Sequence, residues 1–118
     1  IPQGLAEVRE FAGATNIKGI SIEPGSGIRP RWSDDESLYP IYEIAQEYDL
    51  PVSISLSGLL SALGGHDISW SRPVSIQRAA QKCPKVKFIV SHAAWPYAEE
   101  MVVVALACQN IYVSPDLY

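Results

Sequence analysis

Four short runs of β-branched residues, separated by amphipathic stretches, constrain the possible folds of this chain more than any other feature. The runs are Ile17 to Ile22, Val52 to Leu56, Val86 to Val90, and Ile111 to Val113. β-Branched residues favour strands, and a short apolar run bounded by turn residues is typical of a buried strand. The sequence therefore predicts four strands with high apolar density, which indicates burial on both faces of a sheet.

The stretches between these runs predict helices. Ahead of the second strand, apolar residues recur every three or four positions: Leu38, Ile41, Tyr42, Ala45 and Tyr48. Ser37 is the predicted N-cap of this helix, and Pro40 is tolerated in its first turn. Similar patterns predict helices within residues 73–84 and 96–109, and one ahead of the first strand.

The resulting order, α-β-α-β-α-β-α-β, predicts the α/β class. Strands joined by single helices run parallel, because each crossover returns the chain to the same edge. The 118 residues have room for one domain. The start at Ile1 and the stop at Tyr118, just after a predicted strand, suggest a piece of a longer chain. The strand-to-helix links near residues 24–35 and 57–71 are long, which predicts that the functional face lies there.

Charge and composition argue against several partners. The formal net charge is −4, and Lys82, Lys85 and Lys87 cluster at one helix–strand junction without forming a stripe. Binding a nucleic-acid backbone needs a concentrated positive field, so no nucleic-acid partner is predicted. The longest apolar run, residues 101–108, is far short of the roughly 20 residues that cross a bilayer, so no membrane segment is predicted.

The two cysteines, Cys83 and Cys108, fall in apolar helical surroundings near the helix ends. This placement favours buried reduced thiols over a disulfide or a metal pair. A reducing cytoplasm is the compartment that we expect.

Polar residues close the predicted strands, and in a parallel sheet these positions meet at one edge. Glu23 ends the first strand, Ser55 and Ser57 end the second, His92 ends the third, and Asp116 follows the fourth. These residues are the candidate site. The two serines are candidate substrate-binding groups.

His92 is the strongest candidate because a neutral imidazole at a strand end can bind a divalent metal or move protons. Alternatively, backbone carbonyls satisfy its hydrogen bonds. Glu23 could bind metal, act as a base, or pair with Arg29 or Arg31. Asp116 is a second candidate catalytic group, with a turn-forming role as its alternative.

Four residues of the strand-to-helix loops complete the candidates. Trp32, Trp70 and Trp95 all fall in these loops and could form the aromatic wall of a substrate pocket, although a tryptophan in a loop is often a local plug. His66 follows Gly64-Gly65 and could reach the same mouth or remain a surface histidine.

Several stretches spanning nearly the whole chain match one family pattern: residues 13–20, 38–45, 49–54 and 86–96. The most specific is the last, a strand followed by His92, two alanines and Trp95-Pro96. In these stretches the chain resembles the amidohydrolase-related family (amidohydrolase 2), which includes metal-dependent hydrolases and enzymes like aminocarboxymuconate-semialdehyde decarboxylase.

The resemblance implies a TIM-type (β/α)₈ barrel, of which residues 1–118 supply about half, near strands four to seven. It also implies a hydrolase or decarboxylase acting on a small organic substrate, with a divalent metal, often zinc, and with His92 as metal ligand or catalytic group. Ser55 stands where the family has a histidine. The alternative is therefore a catalytically degenerate module that binds a ligand or serves assembly.

A half-barrel leaves both sheet edges and the inner face open. We therefore expect the chain to pair with a second copy or to belong to a longer protein, and to be inactive alone. A well-behaved monomer would instead favour a small open α/β sheet.

Overall fold

A computed structural model describes residues 2–14, 17–24 and 30–115 of the protein. Its four strands form a parallel sheet in the order β1-β2-β3-β4. They are β1 (Ile20–Ile22), β2 (Val52–Ser55), β3 (Phe88–Ser91) and β4 (Ile111–Val113). The predicted strands and their parallel order are confirmed, although β1 and β3 begin later than the apolar runs.

The described helices are α1 (Pro2–Ala12), α2 (Tyr39–Glu47), α3 (Gly58–Leu63), α4 (Val74–Lys82) and α5 (Ala98–Ala107). Four of them match the predicted helices. The short helix α3 is absent from the sequence prediction, which places one long loop between β2 and α4. It begins there because the hydroxyl of Ser57 accepts a hydrogen bond from the N–H of Leu60 at 3.2 Å and caps it.

The predicted N-cap of α2 was wrong. Helix α2 is preceded by a 3₁₀ turn, Glu36–Leu38, and Asp35 caps that turn by accepting a hydrogen bond from the N–H of Ser37 at 3.0 Å. Asp35 has the extended backbone that an N-cap requires, with φ −61° and ψ 139°. The hydrogen bonds from Ser37 also lower the pKa of the Asp35 carboxyl.

The helices cover one face of the sheet, where the core lies. The strand residues of this face, Val52, Ile54, Phe88 and Val90, are fully buried beneath helical side chains. Tyr42 of α2 packs edge-on against Phe88, with ring centroids 5.1 Å apart. Such contacts between helices and a parallel sheet hold each βα unit to its neighbour.

The opposite face of the sheet is open. The strand registers bring Ser21, Ser53, Ile89 and Tyr112 into one row across the sheet. Tyr112 is 51% exposed, so the prediction that the strands are buried on both faces was wrong for this face of the sheet. Successive side chains of a strand alternate between faces, and the face away from the helices is the one that a closed barrel encloses.

Both cysteines are free and buried, as predicted. Burial raises the pKa of each thiol, which lowers its reactivity. Across the described parts of the chain, no helix combines the length and apolar character needed to cross a membrane.

Candidate active site at the carboxyl ends of the strands

Hydroxyl groups line the open face near the carboxyl ends of the strands. Ser55 of β2 and Ser91 of β3 are register partners. The Oγ atoms of Ser53 and Ser91 lie 3.5 Å apart, and all three residues are partly buried. Ser114, just beyond β4, continues the ladder by donating its N–H to the carbonyl of Val90 at 2.8 Å. The result is a polar layer at the mouth of the half-barrel.

Sequence reasoning singled out Ser55 but missed Ser53 and Ser91. The signal was present, because serines alternate with apolar residues from Val52 to Ser57 and one closes the β3 run. A period of two assigns such serines to the face opposite the buried one. The prediction of burial on both faces hid this alternation.

His92 lies directly after β3, in a 3₁₀ turn formed by His92–Ala94, and is half-buried. His92, Ala93 and Ala94 all have left-handed backbone conformations, with φ of 62°, 50° and 57°. The N–H of Ala93 donates to the carbonyl of Ser114 at 3.1 Å, which ties the turn to the end of β4. The predicted position of His92 at the end of an internal strand is therefore what the structure shows.

Glu23 lies one residue beyond β1 and is exposed. The guanidinium of Arg31, one suggested partner of Glu23, donates to the hydroxyl of Ser37 at 2.6 Å. Arg29, the other suggested partner, lies outside the described residues, and so does Asp116. For these predictions the structure shows only that Glu23 is exposed.

Ser57, a predicted substrate-binding residue, lies at the start of α3. Its side chain is buried, with 3% exposure, and caps α3. Its hydroxyl thus helps to start the helix, and its substrate-binding role stays a prediction. His66 follows α3, is partly buried, and donates its backbone N–H to the carbonyl of Ser61 at 2.8 Å.

Two of the three tryptophans predicted to line the pocket contact each other. The rings of Trp32 and Trp70 come together, with centroids 4.7 Å apart and planes tilted by 45°. Trp95 is 45% exposed and lines a surface groove of about 360 Å³ with residues that include Pro96 and Tyr97. Two of the three predicted wall residues therefore form a contiguous aromatic surface.

Local hydrogen bonds fix the loops that carry this aromatic pair. The buried hydroxyl of Tyr42 donates to the carbonyl of Ser33, next to Trp32, at 2.6 Å. Asp67 accepts from the N–H of Ser69 at 2.8 Å and caps the 3₁₀ turn Ile68–Ser71, which contains Trp70. Hydrogen bonds from Ser69 also lower the pKa of the Asp67 carboxyl. Both rings are thus held by ordered turns.

The described residues do not make a complete metal site. Among them, no group of three His, Cys, Asp or Glu side chains is arranged to hold a metal ion. Structural and catalytic zinc sites use at least three protein ligands. His92 could supply one, and the hydroxyl of Ser55 is a poor ligand beside imidazole or carboxylate.

Two further cavities lie away from the carboxyl ends of the strands. One of about 230 Å³ opens on the inner face beside Ser21, Ser53 and Ile89. A groove of about 460 Å³ lies at the amino ends of the strands, beside Lys85, Lys87 and other residues of short loops. Active sites of βα barrels form at the carboxyl ends, where the long loops meet. We therefore place the candidate site around Ser55, Ser91 and His92, not in the larger groove.

Parallel strands in sequential order, helices on one face and polar residues gathered at the carboxyl ends define half of a TIM-type (β/α)₈ barrel. The amidohydrolase family model matches residues 1–116, and the chain belongs to that family. This match confirms the family resemblance inferred from the sequence.

Among solved structures, an uncharacterised TIM-barrel protein from Bordetella bronchiseptica is similar to this chain, with a TM-score of 0.70 and 25% sequence identity. The similarity covers 95% of this chain and 48% of that chain, so the protein spans about half the length of its structural relative. The predicted half-barrel is thereby confirmed. No curated protein matches the chain.

Proposed function

We propose that the barrel to which this chain contributes is an enzyme that acts on a small organic substrate at the carboxyl ends of its strands. The reaction is hydrolysis of a C–N or C–O bond, or cleavage of a C–C bond in a decarboxylation. The observation that carries this proposal is the position of His92. It directly follows β3, an internal strand of an amidohydrolase-family sheet, at the end where Ser55 and Ser91 are register partners.

In this proposal His92 acts as the acid–base group or supplies a ligand to a metal. An imidazole suits either task because it titrates near neutral pH and its neutral form has a free nitrogen. The hydroxyls of Ser55 and Ser91 can donate and accept hydrogen bonds, which suits oxygen atoms of a substrate. The aromatic surface of Trp32 and Trp70 would provide an apolar contact for the rest of the molecule.

Glu23 and Asp116 are proposed as secondary polar groups of the same mouth. Glu23 is exposed where a substrate could approach, beyond the end of β1. A carboxylate in that position can accept a proton or a hydrogen bond from the substrate. Their assignment depends on the strands that would complete the barrel.

Metal dependence is proposed only for a complete barrel. His92 offers one ligand, and further strands would have to supply the rest. Elemental analysis of the complete barrel and of this chain alone should then differ: the complete barrel is expected to retain a divalent metal and this chain alone to retain none.

The test uses the complete barrel with two histidine variants. We expect His92→Ala to lower the turnover of an aryl ester, amide or aromatic carboxylate substrate by about 100-fold or more, the range for loss of an acid–base group. His66→Ala is the matched control, because it removes the chain's other imidazole, and we expect little change. Full activity in His92→Ala would overturn the proposal.

A catalytically degenerate binding module is the second candidate, and Ser55 favours it because a histidine occupies this position in the family pattern. The same substrates distinguish the two. Saturable binding to the complete barrel without turnover, weakened by Ser91→Ala, would support the module and contradict the enzyme.

We propose the cytoplasm as the compartment. The free, buried thiols of Cys83 and Cys108 suit a reducing environment. Titration of free thiols in protein isolated from its native source checks this: two thiols per chain are expected after denaturation.

A further inference from the structure

The turn that carries His92 is held from both neighbouring strands. On one side, the N–H of Ala93 donates to the carbonyl of Ser114 beyond β4. On the other, the carbonyl of Trp95 accepts a hydrogen bond of 2.7 Å from the N–H of Gly58, the first residue of α3. The loops after β2, β3 and β4 thus meet at this turn.

The turn needs such support because its backbone is strained. Three successive residues other than glycine have φ between 50° and 62°. The left-handed conformation is sterically disfavoured for every L-residue other than glycine. Conformations of this kind persist only where the surrounding structure imposes them.

At Gly58 there is no space for a side chain between α3 and this turn. A Cβ atom at Gly58 would lie 2.5 Å from Cδ of Pro96 and 3.1 Å from the carbonyl oxygen of Trp95. One contact is with a rigid ring and the other with backbone, so neither can be relieved by rotating a flexible side chain. Gly58 has helical backbone, so glycine is required here for close approach and not for an unusual φ.

We infer that Gly58 is a positioning residue for His92: its N–H and its missing side chain let α3 press against the turn and fix the direction of the imidazole at the mouth. The inference rests on the proposed function because that function gives His92 its chemical role. The physical coupling between Gly58 and the turn can be tested without activity.

The chain has two histidines, His66 and His92, so the imidazole signals in a proton–carbon NMR spectrum can be assigned by substitution. Gly58→Ala is expected to move the His92 signals. Gly13→Ala is the matched control, since its nearest contact would be an ordinary 3.4 Å to a side-chain atom of Tyr48. If the His92 signals move no more in Gly58→Ala than in Gly13→Ala, the inference is wrong.

A second measurement covers the case in which Gly58→Ala does not fold. In the unmodified chain, hydrogen exchange at the Gly58 amide should be slow, because this N–H donates a hydrogen bond to the carbonyl of Trp95. Ala93→Val should speed that exchange, since a β-branched side chain disfavours the left-handed conformation of the turn more than alanine does. Equal exchange rates in the two proteins would overturn the coupling.

A kinetic experiment on the complete barrel tests the link to function. Gly58→Ala is expected to lower kcat by about 10- to 100-fold with a smaller change in KM, as for a misplaced catalytic group. It should add nothing in a His92→Ala background, and a further loss there would contradict positioning through His92. If the barrel proves inactive while the NMR and exchange results hold, the proposed function fails and the coupling stands.

Discussion

At the residue scale, Asn110 connects three parts of the chain through one amide group. Its Nδ2 lies within 3.2 Å of the carbonyls of Ala80, Cys83 and Val86, so it joins the end of α4 and the approach to β3 to the turn before β4. An amide nitrogen carries two protons, and three acceptors share them. This side chain therefore fixes the amino-terminal end of the half-barrel.

We predict that Asn110→Ala lowers the free energy of unfolding by about 1–3 kcal/mol, because partly buried carbonyls lose their donors. Urea unfolding followed by circular dichroism measures the change. The neighbouring exposed Gln109 provides the control, and Gln109→Ala should stay within about 0.5 kcal/mol of the unmodified chain. Similar losses in both variants would contradict this role of Asn110.

The buried phenol of Tyr42 should make the free energy of unfolding depend on pH. Burial raises the pKa of its phenol above the ordinary value of 10.0. Below pH 10 the phenol is protonated in both folded and unfolded chains, so its contribution to stability is fully present. Above that pH the unfolded chain loses the proton first, and stability should fall.

Tyr42→Phe should reduce this alkaline loss, which urea unfolding at several pH values measures. At neutral pH the variant should lose about 1 kcal/mol, because the hydrogen bond to the Ser33 carbonyl is removed. Tyr48→Phe, at a tyrosine that is 37% exposed, is the control and should keep the alkaline loss. An unchanged pH profile in Tyr42→Phe would refute the assignment.

At the scale of the elements, the two faces of β3 differ in what covers them. Phe88 is fully buried beneath the helices, while the next residue, Ile89, is only partly buried on the open face. Alternation along the strand produces this difference, and the helices supply the cover on one side only.

We predict that Phe88→Ala costs about 3–5 kcal/mol of unfolding free energy, the usual range for a buried phenylalanine. Ile89→Ala in the same chain should cost less than half as much, because partly exposed atoms gain less from folding. In a complete barrel, where the inner face is enclosed, the loss from Ile89→Ala should grow. Equal losses in the isolated chain would mean that the inner face is already covered.

At the scale of the whole molecule, the half-barrel has surfaces that call for a partner. In the described structure β1 and β4 each pair on one side only. The outer side of α5 exposes Val102, Val103 and Leu106, the last at 81%. Unpaired edges and apolar patches of this kind promote association. We therefore keep the proposal that further strands, from a second copy or from the rest of a longer protein, complete the barrel.

For the isolated chain, we predict a sedimentation mass above 12.9 kDa that rises with concentration. Leu106→Glu should shift the mass towards the monomer with little change in stability, because the residue is exposed and only the association surface changes. Gln46→Glu, an exposed site on α2, is the control for added charge and should leave the mass unchanged. A chain that stays monomeric at every concentration would show that it tolerates its open edges.

The order of elements could be predicted from sequence because it depends on local patterns. The β-branched runs and the helical spacing are properties of neighbouring residues, and they predicted four parallel strands and four of the helices. The position of His92 at a strand end follows from the same local reasoning. Helix α3 could have been found from its Ser57 cap, but six residues give too weak a periodicity.

Tertiary structure alone decided which groups meet. The pairing of Ser55 with Ser91, the contact of Trp32 with Trp70, and the fit of Gly58 against Pro96 join residues far apart in sequence. The open inner face is of the same kind, because apolar content shows that a residue can be buried but not whether another element is present to cover it. Local sequence fixes the preference of each segment, whereas contacts across the sheet depend on register and on the packing of all the segments at once.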